Sequence, residues 1–135
     1  MSSSATPELT AGEAMSRSFL AVAPMDTIGE VAERMSDADV GSVLVVDFGR
    51  LVGIFTSRDL MRAIAERVHP SDGRIRDWMS PDPVTAAQDT PVDEAARLML
   101  AGGFHHLPVV EGTRPVGIVG LRAAAGALHA LGAGW

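Results

Sequence analysis

A mixed α/β (α+β) fold is predicted, built from two tandem βαββα units related by pseudo-twofold symmetry, and three observations lead there. Residue pairs recur at one offset of 64 positions: Gly53-Ile54 with Gly117-Ile118, Val45-Val46 with Val109-Val110, Met35 with Met99, and Met15-Ser16 with Met79-Ser80. Each copy carries apolar residues at the spacing of one helix face. Each also carries two short β-branched runs divided by a Gly-containing turn.

The elements follow in order. Met1 to Ala14 is rich in Ser, Thr, Ala and Gly without a sustained apolar period, and is expected to be a disordered tail. A short strand is expected near Phe19–Val22. Ile28, Val31, Ala32 and Met35 then form an i, i+3, i+4, i+7 stripe behind Thr27, whose hydroxyl suits an N-cap. Ser42–Val46 and Leu51–Phe55, with Asp47-Phe48-Gly49 between them, read as a hairpin, and a helix over Ser57–Arg67 closes the copy. The second copy repeats this: a strand near Val84–Ala86 and the stripe Val92, Ala95, Ala96 and Met99 behind Asp89-Thr90-Pro91. A hairpin of Leu107–Val110 and Val116–Val119 and a helix over Leu121–Leu131 complete it. The expected boundaries are a tail at 1–14, motif 1 at 15–67, a linker at 68–76 marked by His69-Pro70-Ser71-Asp72-Gly73, motif 2 at 77–131, and a C-terminal end at 132–135. A unit of this length has a marginal core, so the two are expected to bury a shared apolar interior.

The bulk numbers exclude several chemistries. The 135 residues contain no cysteine, which removes disulfides, thiolate nucleophiles and Cys-ligated metals. All eleven basic residues are arginine and the net charge is −6, so Schiff-base lysines are absent and general nucleic-acid binding is not expected. There is no apolar run long enough to span a membrane and no secretory signal pattern. The expectation is a cytoplasmic protein that does not engage a membrane.

Met79-Ser80-Pro81-Asp82-Pro83-Val84, Asp89-Thr90-Pro91-Val92-Asp93-Glu94-Ala95, His106-Leu107-Pro108-Val109-Val110 and Gly53-Ile54-Phe55-Thr56-Ser57-Arg58-Asp59, by their order within a copy and their doubled occurrence, resemble the cystathionine-β-synthase-type (CBS) domain family. The resemblance covers about Met15 to Leu131. It implies a Bateman module, a pair of CBS motifs that acts as a regulatory binder of adenosine derivatives.

Gly53 to Asp59 carries the chemistry. A strand ending at Phe55 and a helix starting near Ser57 put Thr56 and Ser57 at a helix N-terminus, where backbone N–H groups favour an anion. The Thr56 hydroxyl can donate to a phosphate oxygen, and the two carboxylate oxygens of Asp59 can accept both ribose hydroxyls. The other reading makes Thr56 only an N-cap and Asp59 only a first-turn dipole partner. Arg58 suits a phosphate or a salt bridge equally well. In the second copy Gly120 stands where Thr56 stood and Ala123 where Asp59 stood, so one of two clefts is expected to be nucleotide-competent. The resemblance further implies that Ser80, Pro83 and Val84 face this motif and that Phe104, His105 and His106 flank the base.

No cofactor is required on this reading. The expected ligand is AMP, ADP or ATP, with S-adenosylmethionine and NAD as the other candidates. The expected partners are a second copy of the chain in a homodimer, supported by the nearly all-apolar last helix, and an effector protein. His105-His106 point to opposite strand faces and suit no shared metal. Neither a nucleophile triad nor a carboxylate pair stands out, so enzymatic activity is not expected. The alternative function is a ligand-free dimerisation module.

Overall fold

The computed structural model describes residues 9–130. Residues 1–8 of the expected tail, Leu131 and the C-terminal end at 132–135 lie outside the described residues. In chain order the elements are α1 (Ala11–Ala14), β1 (Ala21–Val22), α2 (Ile28–Ala38), β2 (Ser42–Asp47), β3 (Arg50–Thr56) and α3 (Ser57–Ala65). A 3-10 turn at Ile75–Asp77 follows, then β4 (Ser80–Pro81), β5 (Ala86–Ala87), α4 (Val92–Gly102), β6 (His106–Glu111), β7 (Arg114–Gly120) and α5 (Leu121–Ala130). The βαββα order thus occurs twice, as β1-α2-β2-β3-α3 and β5-α4-β6-β7-α5. The described chain separates into two compact units, one of 18–83 with 113–115 and one of 9–17, 84–112 and 116–130.

In the first of these units the sheet order is β1-β2-β3-β4. The parallel pair β1–β2 brings Ala21 opposite Leu44, and the antiparallel hairpin β2–β3 brings Val43 opposite Phe55. The hairpin turns on Phe48 and Gly49 with φ of 50° and 77°. Two positive φ values in a two-residue turn match the right-handed twist of the flanking strands. Gly49 adopts its value without strain, whereas Phe48 does so with its ring 97% exposed. Helix α2 begins with a capping box: the Thr27 hydroxyl accepts from Glu30 N at 3.1 Å and Glu30 Oε1 accepts from Thr27 N at 3.0 Å. It buries Ile28, Val31 and Met35 against Val43, Val45, Phe55, Ala63 and Ile75. Truncating Phe55, which is fully buried, to Ala would cost about 3–5 kcal/mol.

The other unit pairs β5 with β6 in parallel, Ala86 opposite Val109, and continues to β7 through a turn at Gly112, φ 66°. Helix α4 buries Val92, Ala95, Ala96 and Met99, the predicted stripe, and ends on Gly103 at φ 70°. Its N-cap position is Pro91, with no side-chain cap; the Thr90 hydroxyl instead accepts from Ala87 N at 3.0 Å and closes the preceding turn. Leu9–Ala14, assigned to a disordered tail from composition, is structured. Thr10 and Glu13 form a capping box over α1, and Ala11 is fully buried in this unit's core. A four-residue helix is too short to show an apolar period, which is why composition misjudged it.

The sequence repeat and the compact units are cut at different places. Ser16 bridges to Ile118, and Met15 packs on Gly117, so the opening residues of copy one sit in the unit of copy two. Met79-Ser80 correspondingly joins the unit of copy one: β4 pairs with β3, Gly53 opposite Pro81 and Ile54 opposite Ser80. The two glycines explain the close approach. A Cβ on Gly53 would lie 2.4 Å from Met79 Sδ and 3.0 Å from Ser80 O; one on Gly117 would lie 2.3 Å from Met15 Sδ and 2.9 Å from Ser16 O.

Candidate functional site

β3 delivers the chain to the N-terminus of α3 with Thr56 extended at φ −122°, ψ 169°, the geometry of an N-cap. The Thr56 hydroxyl accepts from Asp59 N at 3.4 Å and donates to Asp59 Oδ2 at 3.1 Å, and Thr56 N donates to the same oxygen at 2.9 Å. Thr56 and Asp59 thus form a capping box, the structural role that stood beside ligand binding in the sequence. Ser57 N donates to Gly41 O at 2.9 Å, so the first helical N–H is also satisfied. The hydroxyl and carboxylate required for a phosphate–ribose motif lie together at a half-buried helix start, each already engaged by the other.

The second oxygen of Asp59 faces Arg62, with Oδ1 to Nη2 at 3.5 Å. Asp59 keeps only 13% of its side chain exposed, Arg62 50%. Arg62 Nη2 also donates to Trp78 O at 3.0 Å, and its guanidinium lies 4.8 Å from the centroid of the Trp78 ring, a cation–π distance. Trp78 packs on the core of this unit. Neither Arg62 nor Trp78 was singled out from sequence. The i, i+3 spacing of Asp59 and Arg62 on a helix is the signal that could have paired them.

The equivalent start of α5 is bare by comparison. Leu121 N donates to His105 O at 2.8 Å, matching Ser57 to Gly41, but Gly120 and Ala123 supply neither hydroxyl nor carboxylate. A Cβ on Gly120 would have His105 O at 3.9 Å as its nearest neighbour, so space is not what excludes a side chain there.

Of the residues the sequence nominated, Thr56, Ser57, Arg58, Asp59, Ser80 and Pro83 belong to one compact unit, and Val84, Phe104, His105 and His106 to the other. Ser57, Arg58 and Ser80 are exposed and Pro83 is half-buried. Val84 is 49% exposed, while Phe104 is half-buried, packs on its unit's core and lies against Gly102. His105 is exposed and serves α5 through its backbone carbonyl. His106, half-buried at the start of β6, has its pKa lowered from 6.5, first by burial and then by the neighbouring His105. Among the described residues no group of three or more His, Asp or Glu is placed to hold a metal ion, and no helix is long and apolar enough to cross a membrane.

The family model for the CBS domain matches this chain twice, at residues 11–66 and 75–130, one match for each βαββα run. The chain belongs to the CBS domain family. Its architecture is that of a CBS pair. It is similar to an uncharacterized 17.7 kDa protein of Acidianus ambivalens, 38% identical over 109 residues, which are 79% of this chain and 65% of the relative. This chain therefore spans less than two thirds of that relative. Among solved structures it is similar to the CBS domain pair of protein MJ0100 in complex with methylthioadenosine and S-adenosyl-L-methionine, at a TM-score of 0.82 and 28% identity, covering 93% of this chain and 99% of that one. It is also similar to the cytosolic domain of the Mg2+ channel MgtE in complex with ATP, at a TM-score of 0.76 and 34% identity, covering 88% of this chain and 48% of that one.

Proposed function

We propose that this CBS pair is a non-catalytic regulatory sensor that binds one adenosine-containing ligand, of the AMP, ADP or ATP class, through the Thr56–Asp59 motif, and signals to a partner protein by a ligand-dependent change of conformation. The observation that carries the proposal is the asymmetry of the two helix starts: a hydroxyl and a carboxylate at Thr56 and Asp59, and neither at Gly120 and Ala123. Methylthioadenosine, S-adenosyl-L-methionine and ATP, the ligands of the similar structures, share an adenosine whose ribose presents a vicinal diol. A carboxylate accepts both hydroxyls of such a diol, and a helix N-terminus with a hydroxyl suits the phosphate of a nucleotide. Ser57 and Arg58 extend the phosphate side. For Ser80, Pro83 and Val84 the proposal is the one the family resemblance implies, that they face the Thr56–Asp59 motif, and for Phe104, His105 and His106 that they flank the base.

A conformational signal requires that the ligand bind two states unequally. The surface proposed to receive a second copy of the chain is the outer face of α3, where Met61 is 64% and Ile64 60% exposed at i, i+3 spacing.

A second reading, a ligand-free dimerisation module, is favoured by one observation: Thr56 and Asp59 already satisfy each other. A thermal-unfolding scan with AMP, ADP, ATP, S-adenosylmethionine and NAD separates the two. Ligand at 100 times its Kd stabilises by about 2.7 kcal/mol, several degrees for a chain of this size. A rise with at least one adenosine compound supports the sensor; an unchanged midpoint with all five rejects it.

A further inference from the structure

The hydrogen-bond capacity of Asp59 sets a condition on any diol that binds it. A carboxylate offers about four lone-pair positions. Here Oδ2 accepts from Thr56 N and from the Thr56 hydroxyl, and Oδ1 faces the Arg62 guanidinium. Two positions, both on Oδ2, are taken by hydrogen bonds, and Oδ1 carries the Arg62 ion pair without a hydrogen bond, while a vicinal diol donates two hydrogens. A ribose that donates both hydrogens to Asp59 therefore either crowds onto Oδ1 where the Arg62 guanidinium stands or displaces Thr56 from Oδ2.

Arg62 is the one that yields most readily. The Thr56 N–H is short at 2.9 Å and belongs to the helix cap, whereas the Arg62 contact is 3.5 Å and joins a half-exposed side chain. An ion pair of this length with one half-exposed partner and no hydrogen bond contributes modestly. Arg62 is nevertheless not loose, because the Trp78 ring and the Trp78 carbonyl hold the guanidinium beside Asp59. We infer that Arg62, seated on Trp78, is a latch on the ligand-binding carboxylate: it occupies Asp59 Oδ1 when the site is empty and is released when a ribose diol takes that oxygen. The inference rests on the reading of Asp59 as the ribose acceptor. It adds a positioning residue and an optical reporter, since a guanidinium that shifts over the Trp78 ring on losing Asp59 changes the surroundings of an indole.

Adenosine is the probe, because without a phosphate it leaves the Thr56 hydroxyl on Asp59. The experiment compares the otherwise unaltered 135-residue chain with Arg62→Gln, Arg62→Lys and Asp59→Asn, all in a Trp135→Phe background that leaves Trp78 as the single tryptophan. Calorimetry gives the adenosine Kd and steady-state fluorescence the Trp78 emission. If the latch operates, Arg62→Gln binds adenosine about two- to fivefold more tightly, the range set by a weak ion pair. Arg62→Lys, which keeps the charge, stays near the parent. Adenosine shifts the Trp78 emission of the parent but not of Arg62→Gln, and Asp59→Asn reproduces that shift without ligand. Adenosine binding that is equal or weaker in Arg62→Gln, or Trp78 emission indifferent to adenosine in the parent, overturns the latch while leaving the sensor intact. Absence of adenosine binding in both the parent and Arg62→Gln overturns the latch, and the sensor falls with it where AMP and ATP also fail to bind.

Discussion

Building a capping box where the second copy lacks one is a direct test of how Thr56 and Asp59 act in the empty protein. The perturbation is Gly120→Thr with Ala123→Asp, the equivalents of the α3 pair at the start of α5. Gly120 is not among the residues with positive φ, so an L side chain adopts its backbone without strain. Its new Cβ would meet nothing closer than His105 O at 3.9 Å, and Ala123 is exposed. The gain has three parts. Replacing a glycine at a compatible position stabilises by about 0.4–1 kcal/mol through the unfolded chain. Threonine over glycine at an N-cap adds a few tenths, roughly 0.3 kcal/mol. A first-turn carboxylate adds about 0.3–1 kcal/mol, offset by the roughly 0.6 kcal/mol lower helix propensity of Asp than Ala. The net is about 1 kcal/mol, or roughly 3–5 °C in Tm at this chain length. Calorimetric unfolding of the parent, both single variants and the double variant gives the sum and the coupling. The coupling is the sharper quantity: a Thr hydroxyl and an Asp carboxylate that bond each other stabilise more together than the two singles added. A double variant no more stable than the parent, or one whose gain merely adds the singles, would refute the reasoning.

Three other outcomes follow from the same contacts. Gly53→Ala drives a methyl into Met79 Sδ and Ser80 O and should cost about 1–3 kcal/mol in denaturant unfolding, partly recovered by adding Met79→Ala; full stability of Gly53→Ala alone would show that the β3–β4 approach is slack. Thr56→Val removes the hydroxyl but keeps the shape; it should cost about 1 kcal/mol of stability and weaken AMP more than adenosine in calorimetry, whereas equal weakening of the two ligands would remove the phosphate role. His106, with its pKa lowered by burial, binds a proton more weakly folded than unfolded, so stability falls as pH drops from about 6.5 through the lowered folded value and changes no further below it. Unfolding followed across that window should show a decline that His106→Gln lacks; parallel curves for the two proteins would contradict the assignment.

Much of the fold was legible because local chemistry decided it. The stripes Ile28–Val31–Met35 and Val92–Ala95–Ala96–Met99 became the buried faces of α2 and α4, and the Asp47-Phe48-Gly49 signal became a two-residue hairpin turn. Met15 and Met79 show where such reading stops. Each precedes a serine at the start of its own copy, yet each packs on the glycine of the other copy's hairpin, a choice made by the path of the chain. At the candidate site the residue types at 56 and 59 were visible, but their capping box depends on the extended backbone of Thr56, which residue types alone do not fix. Arg62 and Trp78 lie 16 positions apart and meet only through the fold. His105 serves α5 through a carbonyl that every residue type possesses, so no side-chain reasoning could assign it that role.

The most direct test of the sensor is an amide 1H–15N correlation spectrum of the uniformly labelled chain titrated with AMP. Saturable shifts at Thr56, Ser57, Arg58 and Asp59, with Gly120 to Ala123 unmoved, are the result expected of one nucleotide-competent helix start. A spectrum that stays still at millimolar AMP, or one whose shifts gather at Gly120 to Ala123, would contradict it.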